Sequence, residues 1–390
     1  MVVREAEPLA RTLAREFKVV AIVGPRQSGK TTLARQVFAA KPYASLEDPD
    51  LLRFAQEDPR RFLGQYPGGA LIDEAQRCPE LFSYLQGIVD RRRVAGQFVL
   101  TGSQHFGLVQ RITQSLAGRV GFVNLLPFSA PELLAGGWLP ATLDAALLHG
   151  GYPPVFDMPA SPERWYSAYL NTYVERDVRQ LRNVQDLPTF QRVLRLCAGA
   201  VGQLADLTRI GNDAGVDQKT VRAWLGVLEA SFILFRLQPH HNSFRKRLVK
   251  TPKLYFYDVG LAARLVGIES AEQIGTHPLR GALFENWVIT EYLKRRWNAG
   301  RQPNLFFWRS HGGLEVDLLL DQGPVLAPVE IKSGATVSSD WLRPLRRWRE
   351  LAGNAAGRPV IVYGGDQPQQ RSDADIIPWR QLAHLPSSDS

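Results

Sequence analysis

The residues Gly24-Pro25-Arg26-Gln27-Ser28-Gly29-Lys30-Thr31 fit the pattern G-x-x-x-x-G-K-[ST], which holds nucleotide phosphates. Gly24 and Gly29 let backbone N–H groups turn inward around phosphate oxygens. Lys30 brings a cation to the β- and γ-phosphates, and Thr31 offers a hydroxyl to Mg²⁺. The helix that follows directs its positive end at the same phosphates. Gly24, Gln27, Gly29, Lys30, Thr31 and Thr32 are therefore the candidate ATP contacts. The bland alternative, a Gly-rich turn, leaves Lys30 without a reason.

The elements needed to hold that loop are legible on both sides. Lys18 to Val23 is short and apolar and predicts a buried strand. Thr31 to Ala39 predicts a helix with Leu33, Val37 and Phe38 inward. Gly69-Ala70-Leu71-Ile72-Asp73-Glu74 predicts a second buried strand ending in carboxylates. At the carboxyl edge of an open α/β sheet, Asp73 orients Mg²⁺ through its water shell. Glu74 is the candidate general base that polarises the attacking water. A third strand, Gln97 to Leu100, ends in Thr101, Gly102 and Ser103. Ser103, with Thr101 as the alternative, is the candidate γ-phosphate sensor. Arg119, in Ser115-Leu116-Ala117-Gly118-Arg119, is a candidate arginine finger reaching a neighbouring subunit. A structural pairing with an acidic residue is its competing reading.

Composition sets outer bounds. The 390 residues suffice for two or three domains, and 45% hydrophobic content supports a sizeable core. Cys78 and Cys197 have no partner at metal-ligand spacing, which points to a reducing cytoplasm without structural disulfides. The N-terminus lacks a signal-peptide pattern, and no apolar run approaches the roughly 18 residues that would suggest a membrane span. A formal charge of +9 suits a polyanionic partner.

GPRQSGKTTL, LEDPD, ALIDEAQ, LTGSQ and SLAGR together resemble a large prokaryotic group of AAA-type ATPases with a C-terminal domain of formerly unknown function. The resemblance covers nearly the whole chain. It implies a P-loop ATPase of the additional-strand class, a winged-helix segment and a PD-(D/E)XK nuclease-like C-terminus. An AAA-type oligomer, such as a hexameric ring, is implied with it.

The residues downstream fit such a layout. Trp165 to Leu181 has helical spacing and resembles the lid after an AAA core. Leu204 to Ala214 predicts a helix, Gly215-Val216 a turn, and Asp217 the N-cap of a second helix reaching Glu229. Val221, Trp224, Leu225 and Leu228 share its apolar face, while Gln218, Lys219 and Arg222 point away. Such residues read base edges and phosphates in a recognition helix. Phe232 to Leu237 and Leu254 to Tyr257 predict strands flanking a wing, whose tip carries Arg245, Lys246 and Arg247.

Gly281 to Lys294 predicts a buried helix with Glu285 inside its apolar arc, a costly place for an unpaired carboxylate. Strands follow at Asn304 to Trp308, Leu314 to Leu320 and Ala327 to Lys332. Asp317, then Glu330-Ile331-Lys332, is the D…E-x-K arrangement. Glu330 and Lys332 share a strand face. With Asp317 and Glu285 they could hold Mg²⁺ and stabilise a phosphoryl transition state. A buried ionic cluster is the bland alternative.

The expected fold is therefore α/β: a P-loop AAA-type core over 1–149, a helical lid over 150–184, a winged helix over 185–265, and an α/β PD-(D/E)XK-like domain over 266–390. The expected function is ATP-driven translocation on, or remodelling of, DNA forks or junctions. An ATP-regulated, Mg²⁺-dependent nuclease and an ATP-dependent switch acting through protein partners are the alternatives.

Overall fold

A computed structural model describes residues 2–92, 94–103, 115–173, 184, 186–240 and 249–384. The chain divides into two compact units. The first comprises 1–128 with 230–232 and 294–302; the second comprises 129–229, 233–293 and 303–390.

In the first unit, β1 (Val19–Val23), β2 (Tyr43–Ser45), β3 (Leu71–Asp73), β4 (Phe98–Gly102) and β5 (Val120–Asn124) form one sheet. Its order is β2-β3-β4-β1-β5, with every pairing parallel. β1 and β4 are buried along their whole length, as central strands covered on both faces must be. Helices α1 (Glu7–Glu16) and α2 (Lys30–Val37) supply the facing apolar residues. Ala6, Ala10, Leu33, Ala34 and Val37 meet Val20, Ile22, Leu71, Val99, Val123 and Leu125 in one core. Parallel register brings the carboxyl ends of β1, β3 and β4 to a common edge. Helix α3 (Leu81–Arg91) follows β3 and a short 3₁₀ turn at Ala75–Arg77.

The N-terminal segment of the first unit ends at Phe128, short of the boundary expected at 149. The helix Ala130–Ala135 explains the difference. Ser129 and Glu132 form a capping box, and Ala130 N–H donates to Glu291 Oε2 at 2.7 Å within the second unit.

The second unit opens with short helices and α4 (Pro162–Tyr173). The lid helix expected to reach Leu181 is described only to Tyr173. Tyr152, Trp165, Tyr166 and Tyr169 bury their rings together here. Helices α5 (Leu187–Gly199), α6 (Leu207–Ala214) and α7 (Gln218–Ala230) come next. Asp217 accepts from Thr220 N–H at 2.6 Å and so starts α7. Val221, Trp224, Leu225 and Leu228 are the buried residues of α7, the stripe its spacing predicts. β6 (Leu234–Leu237) and β7 (Lys253–Phe256) form an antiparallel pair, and α8 (Val259–Leu265) follows.

Helix α9 (Arg280–Asn298) leads to a six-stranded mixed sheet. It contains β8 (Leu305–Arg309), β9 (Glu315–Asp321), β10 (Leu326–Lys332), β11 (Val360–Tyr363), β12 (Gln369–Gln370) and β13 (Asp375–Pro378), ordered β12-β13-β11-β10-β9-β8. β8, β9 and β10 are antiparallel neighbours; β10, β11 and β13 are parallel. Helix α10 (Leu342–Ala352) covers one face with Leu342, Leu345 and Trp348 against Trp308, Val316, Leu319 and Ile361.

Candidate functional site

The phosphate loop joins β1 to α2. A Cβ on Gly24 would stand 2.0 Å from the Leu125 carbonyl oxygen, so only glycine permits this approach of the loop to β5. Gly29 caps α2 at φ 91°, the left-handed region that glycine occupies without penalty. Gln27 adopts φ 60°, an uncommon state for a residue with a Cβ. Lys30 is buried, and its ammonium donates to the Pro25 carbonyl at 2.6 Å. Ser28 Oγ is fully buried and has no hydrogen-bond partner among the described residues. An anion in the loop would satisfy it. Gln27 and Thr32 are exposed at the loop and first turn.

Asp73 ends β3 and accepts three hydroxyls. Thr31 Oγ1 lies 3.0 Å from its Oδ1, Tyr43 O–H donates to its Oδ2 at 2.8 Å, and Thr101 Oγ1 donates to its Oδ1. A hydroxyl and a carboxylate at one sheet edge are the hard oxygen donors that suit hydrated Mg²⁺, so Thr31 and Asp73 fit such an ion. Tyr43 carried no sequence signal of its own, because β2 is short and its hydroxyl finds Asp73 only through the β2–β3 pairing Ser45–Asp73. Burial, then the hydrogen bond to Asp73, raise the Tyr43 pKa and keep it a donor.

Glu74 follows with φ 53° and ψ 43°. This left-handed backbone turns the chain sharply out of β3 and costs energy at a non-glycine residue, as functional sites often do. Gln76 Nε2 donates to Glu74 Oε2, and Ser103 Oγ reaches the same oxygen at 3.4 Å. Gln76 also lies 3.5 Å from Ser103 Oγ. The Glu74 N–H donates to Thr101 Oγ1 at 3.3 Å. Both candidates at the end of β4 are thus engaged, Thr101 with Asp73 and Ser103 with Glu74. Gln76 was not singled out from the sequence; its place two residues after Glu74 on a 3₁₀ turn brings it back onto the carboxylate.

Arg119 is engaged within its own chain. It precedes β5 at the amino edge of the sheet, opposite the P-loop edge, because Val19 pairs with Val120 and Val23 with Asn124. Its Nε and Nη2 donate to Asp90 Oδ1 and Oδ2 at 2.6 and 2.9 Å. Within the single chain this bidentate pair is the structural pairing with an acidic residue that competes with the finger reading.

In the second unit, Gln218, Lys219 and Arg222 are exposed on α7, opposite its buried stripe. Arg245, Lys246 and Arg247 lie outside the described residues. The C-terminal candidates come together. Lys332 Nζ is 2.6 Å from Glu330 Oε1 and 3.6 Å from Asp317 Oδ2, while Ile331 N–H donates to Asp317 Oδ2 at 2.8 Å. Burial pushes the Glu330 carboxyl up to about 8, Asp317 adding to the shift and Lys332 opposing it. Burial likewise raises Glu285, against the pull of Lys253. Glu330 Oε2 is buried without a hydrogen-bond partner among the described residues. Lys253, Tyr255 and Glu315 complete the cluster and were missed. Lys253 follows a basic stretch of the sequence, and only its burial sets it apart.

Comparison with known proteins agrees with this geometry. Residues 16–134 match the family described as AAA domain, residues 140–272 a domain of unknown function (DUF8612), and residues 280–382 another (DUF4143). The fold and site of the first unit are those of a P-loop AAA-type ATPase, which binds and hydrolyses ATP. The chain belongs to the family of the Uncharacterized proteins Rv2008c of Mycobacterium tuberculosis and Mb2031c of Mycobacterium bovis. It is 32% identical to each over 393 aligned residues, covering 99% of this chain and 86% of each relative. Among solved structures, the Walker-type ATPase PABY2304 of Pyrococcus abyssi is similar at 15% identity and a TM-score of 0.46, covering 67% of this chain and 94% of that one. No helix among the described residues is long and apolar enough to cross a membrane.

Proposed function

We propose that this ATPase uses hydrolysis to translocate on, or remodel, DNA structures such as forks or junctions, working as a homo-oligomer. The observation that carries the reading is the split face of α7. Its apolar stripe is buried, while Gln218, Lys219 and Arg222 stand exposed after a tight turn. The β6–β7 pair follows in the order of a winged helix, and a chain charge of +9 favours a polyanion.

In the ATPase core, Lys30 and the loop amides hold the phosphates, and Thr31 with Asp73 would hold Mg²⁺, which neutralises phosphate charge when bound. Glu74 accepts the proton of the attacking water. Ser103 and Gln76 hold the Glu74 carboxylate until nucleotide and water enter. Arg119 serves a neighbouring subunit only when its pair with Asp90 opens. The C-terminal sheet is a PD-(D/E)XK-like domain that grips DNA.

The decisive measurement is the ATPase rate without DNA and with single-stranded, duplex, forked and four-way DNA. Stimulation by a branched form, with affinity falling steeply as salt rises, is expected. Absence of both binding and stimulation would overturn the DNA reading in favour of a switch acting through protein partners. Arg119→Ala should abolish cooperative hydrolysis in an oligomer while leaving nucleotide binding intact; an unchanged rate removes the finger role.

A further inference from the structure

Lys253 begins β7, just after a basic stretch of the sequence, and its side chain points away from solvent with 4% exposure. Its Nζ lies 2.9 Å from Glu285 Oε1 on α9 and 2.6 Å from Glu315 Oε1 on β9. Its ammonium also stands 5.6 Å from the centre of the Phe307 ring on β8.

The placement is rigid. Leu237 pairs with Lys253 across the β6–β7 ladder. On β7's other side, Asn286 of α9 accepts from Phe256 N–H at 2.6 Å and donates to Phe256 O at 3.0 Å. Tyr255 O–H donates to Glu285, and Gly202 N–H donates to Leu254 O at 2.8 Å. Backbone held this way presents the Lys253 ammonium to the carboxylates at a set depth.

Every carboxylate of the cluster already has a cation beside it. Glu285 and Glu315 share Lys253, Glu315 also meets Arg309 at 3.4 Å, and Asp317 and Glu330 share Lys332. A divalent ion needs carboxylate oxygens at about 2.0–2.6 Å. Bound to Glu285 Oε1, it would stand within about 5.5 Å of the Lys253 ammonium, where a divalent and a monovalent cation repel by several kcal/mol at an effective dielectric of about 20. Among the described residues no group of three or more acidic, His or Cys side chains is arranged to hold a metal. The Mg²⁺ expected from the D…E-x-K spacing does not fit the centre as folded.

We propose that Lys253 is the resident counter-ion of the C-terminal carboxylate centre. It ties β7 to Glu285 and Glu315 and excludes divalent cations. The centre is a lysine-neutralised cage in which Lys253 holds Glu285 and Glu315 while Lys332 holds Asp317 and Glu330. The inference rests on the grouping of these side chains and not on DNA binding, to which its test is blind.

The test is Mn²⁺ binding to the full-length, nucleotide-free protein, followed by the electron spin resonance signal of the free ion. Wild type and Glu330→Gln should bind Mn²⁺ alike. Lys253→Met should gain one site, with affinity raised by more than about 100-fold. Lys253→Met/Glu330→Gln should lose it again, and Lys253→Arg should not gain it. A wild-type site that Glu330→Gln abolishes overturns the proposal, as does a folded Lys253→Met that gains nothing. Should Lys253→Met fail to fold, wild type against Glu330→Gln decides: equal binding supports the cage, and a difference overturns it.

Discussion

Thr31 Oγ1 lies 3.0 Å from Asp73 Oδ1 and 3.1 Å from Oδ2, across 42 positions of sequence. The contact joins the first turn of α2 to the end of β3, and only the β4 strand between β1 and β3 sets their spacing. It makes the phosphate loop and the acidic strand end parts of one site.

Lys30 is the loop's buried cation, and the Pro25 carbonyl is its acceptor at 2.6 Å. Lys30→Ala removes a charge-assisted hydrogen bond to phosphate worth about 1.5–3 kcal/mol. Nucleotide affinity should fall roughly 10- to 100-fold and turnover should be lost, with DNA binding largely retained. Equilibrium binding of a fluorescent ATP analogue and phosphate release check both; full ATPase activity in the variant sinks the site assignment.

Among the described residues Gln76 and Ser103 hold Glu74. Glu74→Gln keeps the shape and removes the base. Turnover should drop by about 10²–10⁴-fold, with ATP affinity nearly unchanged. A parallel loss of affinity would mean that Glu74 supports the loop instead of the water.

Asp258 is 2% exposed and accepts from Gly151 N–H at 2.7 Å, Leu261 N–H at 2.9 Å and Tyr166 O–H at 2.6 Å. Asp258→Ala leaves buried donors without this acceptor, and each such loss costs about 1–3 kcal/mol. Chemical denaturation should show at least about 3 kcal/mol of lost stability. A change below about 1 kcal/mol would show that water replaces the carboxylate.

Glu330 gives a pH dependence. Its folded pKa is raised from 4.5 to about 8, by burial first and by Asp317 second. Between those values the folded chain keeps a proton that the unfolded chain has released. Stability from this group is therefore present below pH 4.5 and is lost as pH rises through 8. Glu330→Gln should flatten the fall in urea midpoint from pH 5 to pH 8. An unchanged slope would assign the fall to other groups.

The local features were legible because local chemistry dictates them. The glycines of the loop, the apolar run of β1 and the stripe Val221, Trp224, Leu225 and Leu228 of α7 each follow from short-range spacing. Arg119 was legible as a position but not as a partner: Asp90 lies on α3, and only the packed sheet brings it to 2.6 Å. Lys253 was hidden for a similar reason. In sequence it resembles the nearby basic residues, and nothing within a few positions distinguishes it.

The sequence by itself determined the phosphate loop, the acidic end of β3 and the trio Asp317, Glu330 and Lys332, since each is written within one strand–turn–helix or strand pair. Tertiary structure decided what those groups touch. Tyr43 reaches Asp73 through strand pairing, Gln76 and Ser103 converge on Glu74, and Lys253 enters the C-terminal carboxylates from β7. Burial is a property of the packed chain, and it turns one lysine of a basic stretch into the counter-ion of a carboxylate cage.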